Sequence, residues 1–122
     1  MAAAKSGEPL RVYGDGLQTR CFCHVNDTVE ALVRLQNSPA ANGQVFNVGG
    51  SEEISILDLA RTVVELVRSK SSIDFIPYND AYAPGFEDMR RRKPVVEKLF
   101  GVTGFRPSTP LRKIIESVAA SS

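Results

Sequence analysis

VYGDGLQTRCFCHVND, residues 12–27, is the stretch on which the reading of this chain turns. It holds both cysteines, Cys21 and Cys23, and the only histidine, His24. A zinc site is the first idea, and spacing argues against it. Zinc takes about four ligands in a tetrahedron, and its paired cysteines usually stand two to four residues apart. Here a single residue separates them. On a strand, positions 21 and 23 share one face and position 24 takes the other. No second Cys or His group elsewhere completes a set. Cys21 and Cys23 are therefore expected as small buried hydrophobes, and no metal is expected.

What the stretch does specify is local structure. LRVY (10–13) is short and β-prone, Gly14-Asp15-Gly16 makes a turn, and QTRCFCHV (18–25) reads as a second strand. Asp27 and Glu30 have capping-box spacing, with a carboxylate in place of the usual hydroxyl. Val29, Leu32 and Val33 recur at i, i+3, i+4, so residues 27–36 read as an amphipathic helix.

Working outward, NSPAANG (37–43) is a loop and QVFNV (44–48) a short apolar strand of the kind buried on both faces of a parallel sheet. Ser55 with Asp58 starts the strongest helix, 56–68, and IDFIPY (73–78) is a strand. NDAYAPGFEDMRRRK is irregular and ends in a basic cluster. Pro94 opens a short helix through Phe100, closed by Gly101. Ser108 or Thr109 caps a last helix that begins at Pro110 and buries Leu111, Ile114, Ile115 and Val118. The order β-β-α-β-α-β-α-α makes the class α/β (mixed α+β), with a small sheet of about four short strands and about four helices.

Bulk composition narrows the function. The 122 residues carry 15 Lys plus Arg against 14 Asp plus Glu, so neither nucleic acid nor a membrane surface is an expected partner. No apolar run approaches the roughly 20 residues of a membrane span, and MAAAKSGEPL lacks the apolar region of a secretory signal. Two cysteines one residue apart on a single strand are poorly placed to bond each other and fit a reduced, cytoplasmic protein. No linker or repeat divides the chain, so residues 1–122 are expected as a single domain.

VYGDGLQTRCFCHVND resembles a signature of the extended short-chain dehydrogenase/reductase family, in particular its nucleotide-sugar epimerases, dehydratases and decarboxylases. FNVGG (46–50) with EEISILDLA is similar to that family's Asn-x-Gly strand and following helix. GFEDMRRRKPVVEKLFGVTGFRPSTPLRKII is similar to its closing segment. The resemblance is to the C-terminal portion of such enzymes. It implies that Arg20, and Arg92 as the second arginine of the late pair, contact the nucleotide diphosphate, and that Tyr13 and Gln18 line the base or sugar pocket. The chemistry agrees, because a pyrophosphate is best gripped by guanidinium forks in fixed positions. The competing readings are a solvated strand residue for Arg20 and a plain charged surface run for residues 90–93. One departure stands out: many relatives have a ribose-binding aspartate after the proline, and here it is Val95.

The resemblance also implies what this chain lacks. Such enzymes hold NAD on an N-terminal Rossmann domain with a Gly-rich turn and use a Tyr-x-x-x-Lys pair. Tyr13, Tyr78 and Tyr82 are followed four residues later by Leu17, Tyr82 and Phe86, never by lysine. GVTGFRP (101–107) imitates a dinucleotide fingerprint, but it follows a helix and has Pro107 in place of the third glycine. The expectation is a nucleotide-sugar-binding portion without catalysis of its own, with no cofactor in this chain and NAD arriving only with the absent N-terminal domain. The alternative is a non-catalytic dimerising or interaction module that has lost ligand binding. A stand-alone enzyme has little support: His24 stands near Asp27, but that carboxylate reads as a helix cap, and no Ser or Cys nucleophile has an evident base. An apolar helix and strand that have lost their cover point to a homodimer or a complementing NAD-domain chain.

Overall fold

The computed structural model describes residues 1–81, 83–85 and 87–122, so Tyr82 and Phe86 of the tyrosine comparison lie outside the described residues. In chain order the elements are α1 (Ala2–Ser6), β1 (Leu10–Tyr13), β2 (Thr19–Cys21), α2 (Val25–Gln36), a 3-10 turn (Pro39–Ala41), β3 (Glu53–Ser55), α3 (Ile56–Leu66), β4 (Ile73–Ile76), α4 (Tyr78–Ala81), β5 (Arg91–Arg92), α5 (Glu97–Thr103) and α6 (Leu111–Ser121). The class is mixed α/β, as expected. The strands are more numerous and shorter than expected, and they fall into two small sheets, β1-β4 and β3-β2-β5. The chain divides into two compact units, one of Met1–Arg20, Ile54–Arg92 and Ile115–Ser122, the other of Cys21–Glu53 and Lys93–Ile114.

The first unit is built on β1 and β4, which run parallel with Leu10 opposite Ile73 and Tyr13 opposite Ile76. Val12 of β1 is fully buried, and α3 packs against this strand. The Gly14-Asp15-Gly16 turn then leads into the start of α3: Leu57 N donates to Gly16 O at 2.9 Å and Ile56 N to Gln18 O at 3.0 Å. Gly16 has φ +72, and a Cβ there would lie 2.8 Å from Val12 Cγ1, so only glycine makes the turn this tightly. Ser55 Oγ accepts from Asp58 N and caps α3 as the sequence indicated. β2 and β5 are also parallel, with Thr19 opposite Arg91 and Arg20 opposite Arg92. β5 was not anticipated, since two residues inside an irregular basic stretch carry no strand periodicity.

In the second unit His24 finds its role. It is the N-cap of α2, and its Nδ1 accepts from Asn26 N at 3.1 Å. The helix therefore starts two residues before the expected Asp27. Asp27, one turn in, instead accepts from Thr109 N at 3.0 Å through Oδ2, and Glu30 pairs with Arg34 at 2.6 Å. Glu52 Oε2 likewise accepts from Leu111 N at 2.9 Å, so two carboxylates distant in sequence serve donors at the entry to α6. The last short helix is displaced too: α5 runs through Gly101 to Thr103, and Gly104, at φ 68, is its left-handed C-cap. Leu99 of α5 is fully buried, and α2 packs against α5.

Residues 44–48 form no strand. Strand conformation needs a ladder partner, and here the segment is tied instead by a turn bond from Gln44 N to Ala41 O and by Lys98, whose Nζ donates to Val45 O and sits 4.7 Å from the Phe46 ring centroid. Val45 is 83% exposed. QTRCFCHV is a strand only over its first half, because the chain turns helical at Val25. Cys21 and Cys23 carry no disulfide and are half-buried rather than buried, and Thr28 Oγ1 donates to Cys23 Sγ at 3.4 Å. Among the described residues no three His, Cys, Asp or Glu side chains group to hold a metal, and no helix is long and apolar enough to cross a membrane.

Candidate functional site

The carboxyl ends of β1 and β4 and the β2–β5 pair of the first unit carry all four residues singled out from the sequence. Ligands of open parallel sheets gather at such carboxyl ends. Tyr13 closes β1 at the edge of exposure. Gln18 is 4% exposed; its Nε2 donates to Tyr13 O at 3.2 Å, which ties the two together across the turn. Among the described residues none hydrogen-bonds Gln18 Oε1, a buried acceptor.

Arg20 and Arg92 are directly opposite in the parallel register of β2 and β5. Neighbouring strands lie about 4.8 Å apart, and paired residues project to the same face. The two arginines are thus side by side at their Cα atoms. Their side chains differ in state. Arg92 is exposed. Arg20 is folded back: Nη1 donates to Thr19 O and Met89 O, each at 2.7 Å, and Nη2 to Asp88 Oδ1 at 2.6 Å.

Four neighbours of this cluster were not singled out by sequence reasoning: Asp15, Tyr78, Asp88 and Arg90. Arg90 grips Asp15 with a fork, Nη1 to Oδ1 at 3.0 Å and Nη2 to Oδ2 at 2.9 Å. Asp15 Oδ1 also accepts from Leu17 N at 2.9 Å, closing an Asx turn. The Arg90 hydrogen bond, then the Leu17 N–H, hold the Asp15 carboxyl below the usual carboxylate range, and Asp15 in turn raises Arg90. Tyr78 packs its ring on Gly14, where a Cβ would lie 2.5 Å from Cε2. Its hydroxyl donates to Asp88 Oδ2 at 3.4 Å. Burial, and then the Asp88 charge, push the Tyr78 phenol above its ordinary value. Asp15 had a visible signal, the Gly-Asp-Gly turn. Asp88 and Arg90 had none, because nothing in an aperiodic stretch says which charges will meet.

A dinucleotide does not fit the one glycine pair that imitates its fingerprint. Gly101 lies inside α5 and Gly104 ends it, whereas a pyrophosphate needs glycines that open a helix. Val95, standing where an aspartate was expected from the resemblance, is 67% exposed.

Comparisons with known proteins agree on the family. The model of the NAD dependent epimerase/dehydratase family matches residues 1–49. The UDP-N-acetyl-alpha-D-glucosaminuronate decarboxylase of Bacillus cytotoxicus is 42% identical over 106 residues, which are 87% of this chain and 33% of that protein. Epimerase Mth375 from Methanothermobacter thermautotrophicus superposes with a TM-score of 0.84 at 23% identity, over 94% of this chain and 33% of that one. MoeE5, solved in complex with UDP-glucuronic acid and NAD, superposes with a TM-score of 0.78 at 31% identity, over 98% of this chain and 40% of that one. The chain thus spans a third to two fifths of the length of these proteins. With the parallel strand pairs, the Gln-Thr-Arg strand and these likenesses together, the chain matches one part of the NAD-dependent epimerase/dehydratase family of extended short-chain dehydrogenases/reductases.

Proposed function

We propose that this chain is the nucleotide-sugar-binding portion of such an enzyme, a single working domain whose NAD-binding portion lies outside the sequence. Arg20 and Arg92 are its diphosphate ligands, and Tyr13 with Gln18 borders the base or sugar. The observation that carries this reading is the register of β2 and β5, which sets Arg20 and Arg92 side by side on one face. Two arginines whose backbones lie about 4.8 Å apart can each offer a guanidinium to an anion with two phosphoryl groups. That a relative of 31% identity was solved with UDP-glucuronic acid and NAD supports a nucleotide sugar as the ligand class. Hydride chemistry requires the nicotinamide, so this portion binds and orients while the remainder supplies the reaction.

The test is a calorimetric titration with UDP and UDP-glucose at low salt. Binding that weakens with salt and falls at least about tenfold on Arg20→Ala is expected, since one charge-assisted contact of this kind is worth that much or more. Absence of heat up to millimolar ligand would sink the reading. A second reading, a dimerising module without ligand affinity, is favoured by Val95 and by the exposed aliphatic side chains Val25, Val29, Leu32 and Val33 on α2. It predicts self-association and no response to either nucleotide.

A further inference from the structure

We infer that Asp88 is an internal competitor for the anion site, holding Arg20 until a diphosphate displaces it, and so setting the site's affinity. The inference rests on the nucleotide-diphosphate reading above. Arg20 has five N–H donors, and three are engaged, two on the carbonyls of Thr19 and Met89 and one on Asp88 Oδ1 at 2.6 Å. Of these acceptors only Asp88 is charged. Its carboxylate already makes the kind of contact with the guanidinium that a phosphoryl oxygen would make. The two side chains are 21% and 29% exposed, sheltered enough for the charges to be felt yet reachable by a ligand.

The carboxylate of the neighbouring ion pair has more donors. Asp15 is held by both nitrogens of the Arg90 fork and by a backbone N–H from its own turn. Asp88 has a single bond to Arg20 and a long one, 3.4 Å, from the Tyr78 hydroxyl, and among the described residues no backbone N–H bonds to it. Asp88 is therefore the acidic group that can leave. While it stays, it fills the Arg20 fork and repels an arriving polyanion. When it leaves, Arg20 joins Arg92 with its carbonyl tethers intact, already aimed.

This role and a merely structural one predict opposite signs. A carboxylate that only props Arg20 in place makes Asp88→Asn a weaker binder. A competitor makes it a tighter one. The experiment is a calorimetric titration of the 122-residue chain, its Asp88→Asn variant and the Asp88→Asn/Arg20→Ala double variant, with UDP and with inorganic pyrophosphate. Thermal melts confirm folding, and Asp88→Ser replaces a variant that does not fold. Asp88→Asn is expected to bind both ligands about tenfold more tightly than the parent, with the gain lost in the double variant. Wild-type binding that depends on Arg20 but is unchanged or weakened by Asp88→Asn overturns this inference and leaves the functional reading standing. No binding by parent or variant overturns both. A gain that survives in the double variant shows general charge removal and also overturns it.

Discussion

Arg68 stands at φ 52, the left-handed region, directly after α3 and its C-cap Val67. The turn around it is tight, with Ser69 N donating to Val64 O at 2.9 Å across the helix end. This is the position helices commonly give to glycine, because a Cβ there crowds the carbonyl. Arg68→Gly should therefore stabilise the chain by about 0.5–1 kcal/mol, the relief of strain less the extra freedom of glycine when unfolded. A thermal melt should show the midpoint rising by about 2–5 °C; an unchanged or lowered midpoint means the arginine side chain contributes more than its backbone costs. The same scale shows what a sequence hides. The end of α3 was legible to within two residues without any glycine to mark it. The end of α5 was misplaced although glycines mark it twice. Gly101 and Gly104 look alike in sequence, and the backbone chooses Gly104, with Thr103 Oγ1 on Leu99 O at 2.7 Å carrying the helix past Gly101. His24 was conspicuous for the wrong reason: its imidazole caps a helix, a job that needs one acceptor nitrogen and no metal.

Between elements, the turn after β1 and the approach to β5 are joined by Asp15 and Arg90. Each strand here is short for its own ladder, and this fork adds to the backbone bonds that hold the turn, Gly14 N to Ile76 O and Leu57 N to Gly16 O. Its pH dependence follows from the carboxyl group. Asp15 has a folded-state value below its ordinary 3.8. A depressed carboxyl contributes stability that is present above about pH 4 and disappears as the pH falls through the folded value. The parent chain should therefore be more stable than Asp15→Asn at neutral pH, and the gap should close on acidification below about pH 4. Denaturant titrations of both at several pH values between about 2.5 and 7 report it; a gap that stays constant across that range assigns the stabilisation to hydrogen-bond geometry rather than charge. β1, α3, β4 and the capping of α3 were legible because periodicity and Ser55–Asp58 spacing are local. β5 and both ion pairs were not, because they join residues 68 to 75 positions apart. The four candidate residues emerged from the resemblance; that Arg20 stands beside Arg92 emerged only with the register of β2 and β5, and that Gln18 ties to Tyr13 only with their hydrogen bond.

For the whole chain, the solvent-accessible surface is 7991 Å². A folded monomer of 13.3 kDa is expected to expose about 6,500 Å². The difference, about 1,500 Å², is roughly twice what one partner contributes to an ordinary protein–protein interface. Part of it is apolar and contiguous in sequence: Val25, Val29, Leu32 and Val33 recur at i, i+4, i+7, i+8 along α2, each about half exposed or more. Such a stripe is what a helix shows when it has lost a partner. The buried hydrophobic residues, by contrast, are mostly small, with Leu99 and Val12 the largest that are fully enclosed. A chain with this balance gains more by covering α2 than by tightening its interior. In solution by itself the available cover is a second copy, and a two-fold pairing lets one stripe serve both partners. Light scattering at about 100 μM should give the mass of a dimer. Leu32→Glu, which places a charge in the middle of the stripe, should return it to a monomer without lowering the melting temperature by more than about 2 °C, because exposed positions tolerate substitution. A parent chain that is monomeric at that concentration removes the second copy as the cover for this face. A dimer that survives Leu32→Glu places the interface elsewhere, and the exposed segment around Val45 becomes the next position to charge.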